Sequence, residues 1–210
     1  DTHHRDLVST FRKRFKNPIK PVAVNSGQVK ENIVKGNDIS LYDFPVPLWN
    51  RLDGGRYIDT LGAVVTRDPD TGIQNVGIYR GMIVGKNKTA KIIAPTQHIG
   101  QHFSRYKELG REMPVAVVYG WDPSMAFAGC APVPKEVCEY DVMGSVRQEP
   151  VELIKCETSD LEVPASAEIV VEGFISPDPE TFELEGPFGE FTGYYAWQKE
   201  KRPVLRVECI

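Results

Sequence analysis

Apolar residues near the start of the chain recur at the spacing of one helix face. Residues 5–16, "RDLVSTFRKRFK", separate them with charged residues, which is typical of an amphipathic helix. The apolar positions are Leu7, Val8, Phe11 and Phe15. Pro18 and Pro21 follow, and proline does not continue a helix interior because its ring clashes with the preceding turn. The pattern predicts one short N-terminal helix.

Residues 17–56 show no regular hydrophobic period. Prolines interrupt this stretch, and it ends in the turn-forming sequence "DGG" at residues 53–55. Several large apolar side chains in it still require burial: Phe44, Val46, Leu48 and Trp49. We predict an extended but ordered arm that packs against the rest of the chain.

From Tyr57 onward, apolar and polar residues follow strand-like patterns. The candidate strands are residues 57–67, 73–85, 88–95, 113–123, 151–159, 167–176 and 202–210. The first two flank "DPDTG", a sequence typical of a hairpin turn. Residues 97–110 and 133–147 have helical spacing. Many strands with few helices, joined by hairpin-like links, favour an antiparallel barrel or sandwich with appended helices.

The composition is that of a globular protein with a mildly acidic balance. Of the 210 residues, 41% are apolar and 26% are charged, and the formal net charge is −4. Nucleic-acid-binding proteins usually carry a basic excess, so we expect no nucleic-acid partner. No apolar run approaches the length of a membrane span and no signal peptide is visible, so we expect a cytoplasmic protein. The cysteines lack CxxC spacing, which favours reduced thiols: Cys130, Cys138, Cys156 and Cys209.

Two carboxylates flank a turn sequence in "ELEGPFGEF", residues 183–191. In an extended strand, Glu185 and Glu190 would point to opposite faces, roughly 17 Å apart. The intervening Gly-Pro-Phe-Gly is turn chemistry, which can fold both acids toward one point. Two close carboxylates split their proton affinities, and that suits general acid–base catalysis. Two solvated acids at a surface turn are the alternative.

Arg80 closes the apolar sequence "NVGIYR". By strand alternation it shares a face with Ile78, the side expected inside a half-buried strand. A guanidinium on that side requires a carboxylate partner, either from a substrate or from a glutamate. A solvated surface charge is the alternative.

Donor atoms for a hard divalent ion occur at Asn75, His98 and Glu139. An amide oxygen, an imidazole and a carboxylate suit Mg²⁺ or Mn²⁺, particularly if a phosphate completes the shell. No local spacing links the three residues, so the pattern alone does not assign a site. His98 and His102 are four residues apart on a predicted helix, but zinc is not expected without an HExxH sequence.

These residues belong to longer motifs that occur in a fixed order along the chain. The motifs are "DGGRYIDTLGAVVTRDPDTGIQNVGIYR", "IAPTQHIGQHF", "AGCAPVPKEVCEYDVMGSVRQEPVELIK" and "EGPFGEFTGYY". Together they resemble the UbiD family of reversible decarboxylases that use prenylated FMN, and the resemblance runs from about Asn17 to Ile210. It implies an α+β fold: a mostly antiparallel split β-barrel, similar to that of flavin reductases, with appended helices.

The resemblance also implies roles for individual residues. Arg80, Glu185 and Glu190 match the family's Glu-Arg-Glu network, in which Glu190 falls at the position of the proton donor. The residues implied to bind the cofactor are Asn75, Ile78, Tyr79, Arg80, Ile92, Ile93, Ala94, Gln97, His98 and Glu139.

Metal ions are implied in the same way. Asn75, His98 and Glu139 match the set that holds Mn²⁺ or Mg²⁺ at the cofactor phosphate. A K⁺ ion is implied near residues 128–130 and Glu139.

The resemblance implies a division of the chain into two parts. Residues 1–50 would form an N-terminal helix and arm, and residues 51–210 a prenylated-FMN-binding split-barrel domain. Family members are considerably longer, and the C-terminal domain that closes the substrate pocket and builds the oligomer in the family is not expected in this chain. We therefore expect the isolated chain to bind cofactor poorly and to decarboxylate little, and the full-length protein to be a homo-oligomer.

Three functions are consistent with these residues. The first is decarboxylation of an aromatic, heteroaromatic or α,β-unsaturated acid, with the cofactor supplied by a flavin prenyltransferase. The second is a plain FMN-binding oxidoreductase, which predicts reduction by NAD(P)H. The third is a non-catalytic subunit of a larger carboxylase, which predicts an intact fold without flavin.

Overall fold

The computed structural model of the protein describes residues 3–196 and 198–210. The α-helices within these ranges are α1 (Leu7–Phe15), α2 (His98–Glu108), α3 (Ser124–Cys130) and α4 (Glu139–Arg147). The first half of the strands is β1 (Val22–Ala23), β2 (Ala63–Arg67), β3 (Gln74–Ile78), β4 (Gly81–Gly85), β5 (Lys88–Lys91), β6 (Met113–Tyr119) and β7 (Glu152–Lys155). The second half is β8 (Glu162–Pro164), β9 (Ile169–Ile175), β10 (Glu183–Glu185), β11 (Phe188–Gly189), β12 (Tyr195–Ala196), β13 (Glu200–Arg202) and β14 (Val204–Cys209).

One large antiparallel sheet organises the fold. Its strand order is β3-β2-β6-β9-β14-β5-β4, so β3 and β4 are its two edges. Yet β3 and β4 are consecutive in the chain, and only Tyr79 and Arg80 separate them. Three trans peptide steps span at most about 11 Å, so the sheet must curl until its edges nearly meet. The result is a split barrel whose seam is at Tyr79 and Arg80, and the predicted α+β fold class is confirmed.

Alternate residues of the central strands enter two separate cores. In β2, Ala63 and Val65 belong to a cluster with residues of α3, α4, β7 and β8. The intervening Val64 belongs to a second cluster, which includes Ile99 and Tyr106 of α2. The sheet is therefore covered on both faces, which explains why its strands read as nearly continuous apolar runs.

The predicted arm is ordered, with little regular structure. Residues 22–23 pair with β7 in parallel. Ile39 and Leu41 are fully buried in the second cluster. The N-terminal helix is confirmed, with a 3₁₀ turn before it at His4–Asp6. Whether residue 50 is a domain boundary stays a prediction.

Several predicted element bounds were wrong. The segment 73–85 is two strands rather than one, because the chain turns at the barrel seam between β3 and β4. Regular pairing in segment 57–67 begins only at Ala63, and Tyr57 makes a single bridge to Met82. The predicted helix 133–147 begins only at Glu139, because residues 134–137 form a separate turn in which the Val137 N–H donates to the Pro134 carbonyl. Helix α3 was not predicted.

Two short hairpin-like pairings complete the fold. β10 pairs with β13, and β11 pairs with β12, both antiparallel. They place the sequence "EGPFGE" beside β4 and β5, with which β10 is in contact. Within the described ranges, no helix is both long and apolar enough to cross a membrane.

Candidate active site

Arg80 lies at the seam of the barrel, between the two edge strands. Its side chain is 13% exposed, so the guanidinium is largely enclosed. Because β3 ends at Ile78, strand alternation is not what turns Arg80 inward. Arg80 instead points inward because it lies in the two-residue connection between β3 and β4, which exists only because the sheet is closed.

The guanidinium of Arg80 binds both predicted carboxylates. Its Nε donates to Glu185 Oε1 at 3.0 Å, and its Nη2 donates to Glu185 Oε2 at 3.4 Å. Its Nη1 donates to Glu190 Oε1 at 2.9 Å. The structure therefore brings Glu185 and Glu190 to one point, as the turn chemistry allowed, and excludes the alternative of two unrelated surface acids.

The two carboxylates differ in their access to solvent. The side chain of Glu185 is 1% exposed, whereas that of Glu190 is 33% exposed. Glu185 accepts an additional hydrogen bond from the Tyr57 hydroxyl at 2.8 Å. Glu185 is thus a buried carboxylate whose two oxygens both accept hydrogen bonds, whereas the Glu190 carboxylate is accessible to solvent.

The turn between the acids is shaped by glycine and braced by a neighbouring loop. Gly186 has φ +92°, a conformation that strains any residue with a Cβ atom. A side chain at Gly54 would collide with the Gly186 carbonyl. The Gly54 N–H donates to the Pro187 carbonyl at 2.8 Å, and the Gly189 N–H donates to Asp53 Oδ1 at 2.8 Å. The loop with the sequence "DGG" therefore packs against the turn between Glu185 and Glu190 and stabilises it through these hydrogen bonds.

Aromatic rings enclose the Arg80 guanidinium. Its Cζ lies 4.9 Å from the centroid of the Phe188 ring and 5.9 Å from that of Tyr57. The two rings lie 4.5 Å apart. Burial, followed by the hydrogen bond to Glu185, raises the pKa of the Tyr57 phenol far above its usual value. Tyr57 was not predicted as a site residue, although it belongs to the quoted motif "GGRYID".

Asn75, His98 and Glu139 converge on strand β3 from three elements. His98 Nδ1, at the start of α2, lies 3.2 Å from Asn75 Oδ1. The carboxylate of Glu139, at the start of α4, accepts the Val76 N–H at 2.7 Å. Burial raises the pKa of Glu139 to about 7, and the Val76 N–H opposes that rise. The three predicted ligand residues are therefore neighbours along one edge strand.

This group does not by itself define a metal site. Among residues 3–196 and 198–210, no cluster of three or more His, Cys, Asp or Glu side chains is arranged to hold an ion. Asn75 also donates through Nδ2 to the Tyr79 hydroxyl at 3.3 Å. His102 Nδ1 lies 2.9 Å from Thr66 Oγ1, and burial lowers the pKa of this imidazole.

The other predicted cofactor-contacting residues lie around the same seam. Ile78 is the last residue of β3 and Tyr79 follows it in the connection to β4; both are half-buried. The segment Ile92 to Gln97 links β5 to α2, so it runs from one side of the seam to the other. Its members Ile92, Ile93 and Ala94 are half-buried, and Gln97 is exposed.

The region predicted to bind K⁺ is the end of α3. Ala128 is buried and Cys130 is exposed. A Cβ atom on Gly129 would lie 3.5 Å from the Val76 carbonyl, so this helix end packs directly on β3. The K⁺ site stays a prediction.

Comparison with known proteins shows similarity to the UbiD family over nearly the whole chain. The UbiD family model, described as a 3-octaprenyl-4-hydroxybenzoate carboxy-lyase Rift-related domain, matches residues 20–210. A pyrrole-2-carboxylic acid decarboxylase of Pseudomonas aeruginosa is 38% identical over 98% of this chain and 41% of its own length. A phenolic acid decarboxylase of a Streptomyces species is 35% identical over 100% of this chain and 44% of its own length.

A solved structure has the same architecture. An evolved dimeric form of the UbiD-class enzyme HmfF from Pelotomaculum thermopropionicum, in complex with prFMN, superposes with a TM-score of 0.89. It is 35% identical, over 97% of this chain and 47% of the HmfF chain. The present chain therefore spans less than half the length of each of these proteins.

Proposed function

The chain belongs to the UbiD family, and from this premise we propose that it forms the cofactor-binding part of a prenylated-FMN-dependent carboxy-lyase. The proposed substrate is an aromatic, heteroaromatic or α,β-unsaturated carboxylic acid. The observation that supports this most is the Arg80 network, in which one guanidinium holds two carboxylates of unequal exposure. A plain flavin oxidoreductase gives no reason for that arrangement.

Arg80 serves as the anion-binding group. A guanidinium has five N–H donors, and within the described residues three of the Arg80 donors are directed at the two glutamates. The remaining two lie on Nη1 and Nη2, so they can bind a substrate carboxylate. Arg80 and Tyr57 both donate hydrogen bonds to the Glu185 carboxylate, and these bonds hold the guanidinium in place for that task.

Glu190 serves as the proton carrier. It is the more exposed carboxylate of the pair, and a single guanidinium cannot neutralise two anions. In its uncharged form, Glu190 delivers a proton to the carbon that has lost CO₂, and solvent then restores the proton. In the reverse direction the same carboxylate removes that proton before carboxylation.

The residues along β3 fit the phosphate end of a flavin cofactor. The Asn75 amide oxygen and the His98 imidazole are in contact there, and the Glu139 carboxylate binds the N–H of the next residue, Val76; these are donor types that Mn²⁺ or Mg²⁺ accepts beside a phosphate. Asn75, His98 and Glu139 would hold that ion, and the end of α3 would contribute to a K⁺ site. When bound, prenylated FMN supplies the electron sink for the bond that breaks as CO₂ leaves.

The test is a comparison of two glutamate variants within the same motif. The chain, both alone and extended by any sequence that flanks it, is co-expressed with a flavin prenyltransferase and screened for CO₂ release from aromatic and acrylic acids. Glu190→Gln should lower turnover by about 10²-fold or more while the flavin absorbance is retained. Glu183→Gln is the control, since Glu183 is 45% exposed and pairs with Lys88 at the surface.

Three outcomes would contradict the proposal. Equal turnover in wild type and Glu190→Gln would remove Glu190 from the mechanism. Reduction of the bound flavin by NAD(P)H without CO₂ release would favour the oxidoreductase. A folded protein with no flavin absorbance, both alone and extended, would favour a non-catalytic subunit.

A further inference from the structure

A second ionic cluster, which the proposed chemistry does not use, is sealed inside the barrel. Lys91 Nζ lies 2.6 Å from Asp59 Oδ2, and both side chains are fully buried. The Tyr119 hydroxyl donates to the other carboxylate oxygen, Asp59 Oδ1. Charged side chains are seldom removed completely from water, so this group calls for an explanation.

The buried pair lies directly behind the backbone of the Arg80 network. Gly81, the residue after Arg80, pairs with Lys91 across β4 and β5. A Cβ atom on Gly81 would collide with Asp59 Oδ2 and would lie 2.9 Å from Lys91 Nζ. The Asp59 N–H also donates to the Gly81 carbonyl, at 3.4 Å. Asp59 and Lys91 thus hold the peptide that carries Arg80 across the seam.

One chain segment, residues 56–59, contacts both the Arg80 network and the buried ion pair. Residues 56–59 run antiparallel to β4, with Tyr57 bridged to Met82 and the Ile83 N–H donating to the Arg56 carbonyl. Tyr57 and Asp59 are two residues apart in this extended segment, so they project to the same side. The first binds Glu185 and the second binds Lys91.

We infer that Asp59 and Lys91 are positioning residues, whose buried ion pair fixes the place of Arg80 and Tyr57 relative to Glu185. A buried ion pair adds little stability compared with apolar residues of the same shape, but its directional contacts specify one arrangement. Arg80 is held by only a two-residue connection between sheet edges, so it depends on such a fixed support. An effect on turnover rests on the proposed function, whereas the positioning of Arg80 and Tyr57 by this ion pair does not.

The geometric claim can be tested without cofactor, by NMR on the 210-residue chain. The probe is hydrogen exchange of the Arg80 Nε–H, which donates to buried Glu185 and is assigned by its loss in Arg80→Lys. In the double variant Asp59→Asn/Lys91→Met, which keeps the side-chain shapes and removes both charges, exchange should be about tenfold faster or more. The control is Glu172→Gln, because the buried Glu172 carboxylate on β9 accepts from the Glu157 and Thr158 N–H groups instead.

Unchanged exchange in the double variant, or an equal increase in Glu172→Gln, would overturn the inference. If the double variant does not fold, Tyr119→Phe replaces it, since that change removes only one hydrogen bond to Asp59. Faster Arg80 Nε–H exchange in Tyr119→Phe supports the inference, and unchanged exchange overturns it.

A kinetic measurement then connects the geometry with the reaction. In flavin-loaded protein, misplacement of Arg80 should lower kcat by about tenfold or more. The ratio kcat/KM should fall further than kcat, because in the proposed function Arg80 also binds the substrate carboxylate. Faster exchange with unchanged kcat would overturn the catalytic consequence. Absence of turnover in the wild type would contradict the proposed function and leave the exchange result decisive for the inference.

Discussion

The two ionic clusters of the barrel differ in charge balance and in access to solvent. The cluster of Lys91 and Asp59 is neutral, with both side chains fully buried. The cluster of Arg80, Glu185 and Glu190 has one cation for two carboxylates, and the Glu190 side chain is one-third exposed. A sealed, neutral pair can only hold its neighbours in place. An open cluster leaves its surplus carboxylate, Glu190, accessible to solvent, as the proton carrier that we propose must be.

The largest predicted effect is a difference in the free energy of unfolding between variants of the two clusters. Lys91→Met leaves Asp59 buried without its cation, so we expect the free energy of unfolding to fall by about 3–5 kcal/mol. Glu190→Gln should lower it by less than about 1 kcal/mol, because Glu190 is partly solvated in the folded protein. Urea denaturation monitored by circular dichroism measures both values. Similar losses in the two variants would show that the two clusters contribute equally to stability, which would contradict the difference described above.

A smaller loss of stability is expected at Tyr57, which lies in the segment that links the two clusters. Tyr57→Phe removes the hydroxyl that donates to Glu185 and leaves the ring on Phe188 in place. Because hydrogen bonds to charged groups are stronger than neutral ones, the free energy of unfolding should fall by about 1.5–3 kcal/mol. A double-mutant cycle with Glu185→Gln isolates the interaction. A coupling energy near zero would mean that Tyr57 stabilises the fold through its ring alone.

The smallest effect is expected at a surface ion pair, which serves as the reference for both clusters. Lys35 and then Lys30 lower the pKa of Glu157 to about 2 through side-chain hydrogen bonds. A carboxylate whose folded pKa is lowered stabilises the protein above its unfolded pKa, and that stabilisation is lost as the pH falls through the folded value. Glu157→Gln should therefore cost less than about 1 kcal/mol at pH 7 and nothing near pH 2. Thermal unfolding between pH 2 and pH 7 measures this difference, and a larger loss at low pH would contradict the assignment.

Local patterns were sufficient for much of the fold. The helix of residues 7–15 and the hairpin around "DPDTG" follow from spacing and turn chemistry, which act between neighbours in the chain. The segment 73–85 shows the limit of such reasoning. Its apolar pattern is that of one strand, yet the curled sheet divides it between opposite edges.

The candidate site was predicted in part. The turn between Glu185 and Glu190 and the strand position of Arg80 made these residues candidates, and the resemblance to the family assigned them to one network. Their mutual contact is shown by the structure, whereas their catalytic roles stay predictions. Tyr57 and the pair of Asp59 and Lys91 were not identified, because nothing in "RYID" or "TAKI" indicates burial beside a charge.

Residue types and their spacing are enough to indicate the candidate chemistry, the turns, and the helical or extended segments. They do not indicate that Arg80 meets acids 105 and 110 positions away, or that Lys91 pairs with Asp59 inside the fold; the folded chain shows both. The physical reason is that turn and helix preferences arise from neighbouring residues. The partner of a buried charge depends instead on the closure of the sheet, because closure brings distant residues together and removes water from between them.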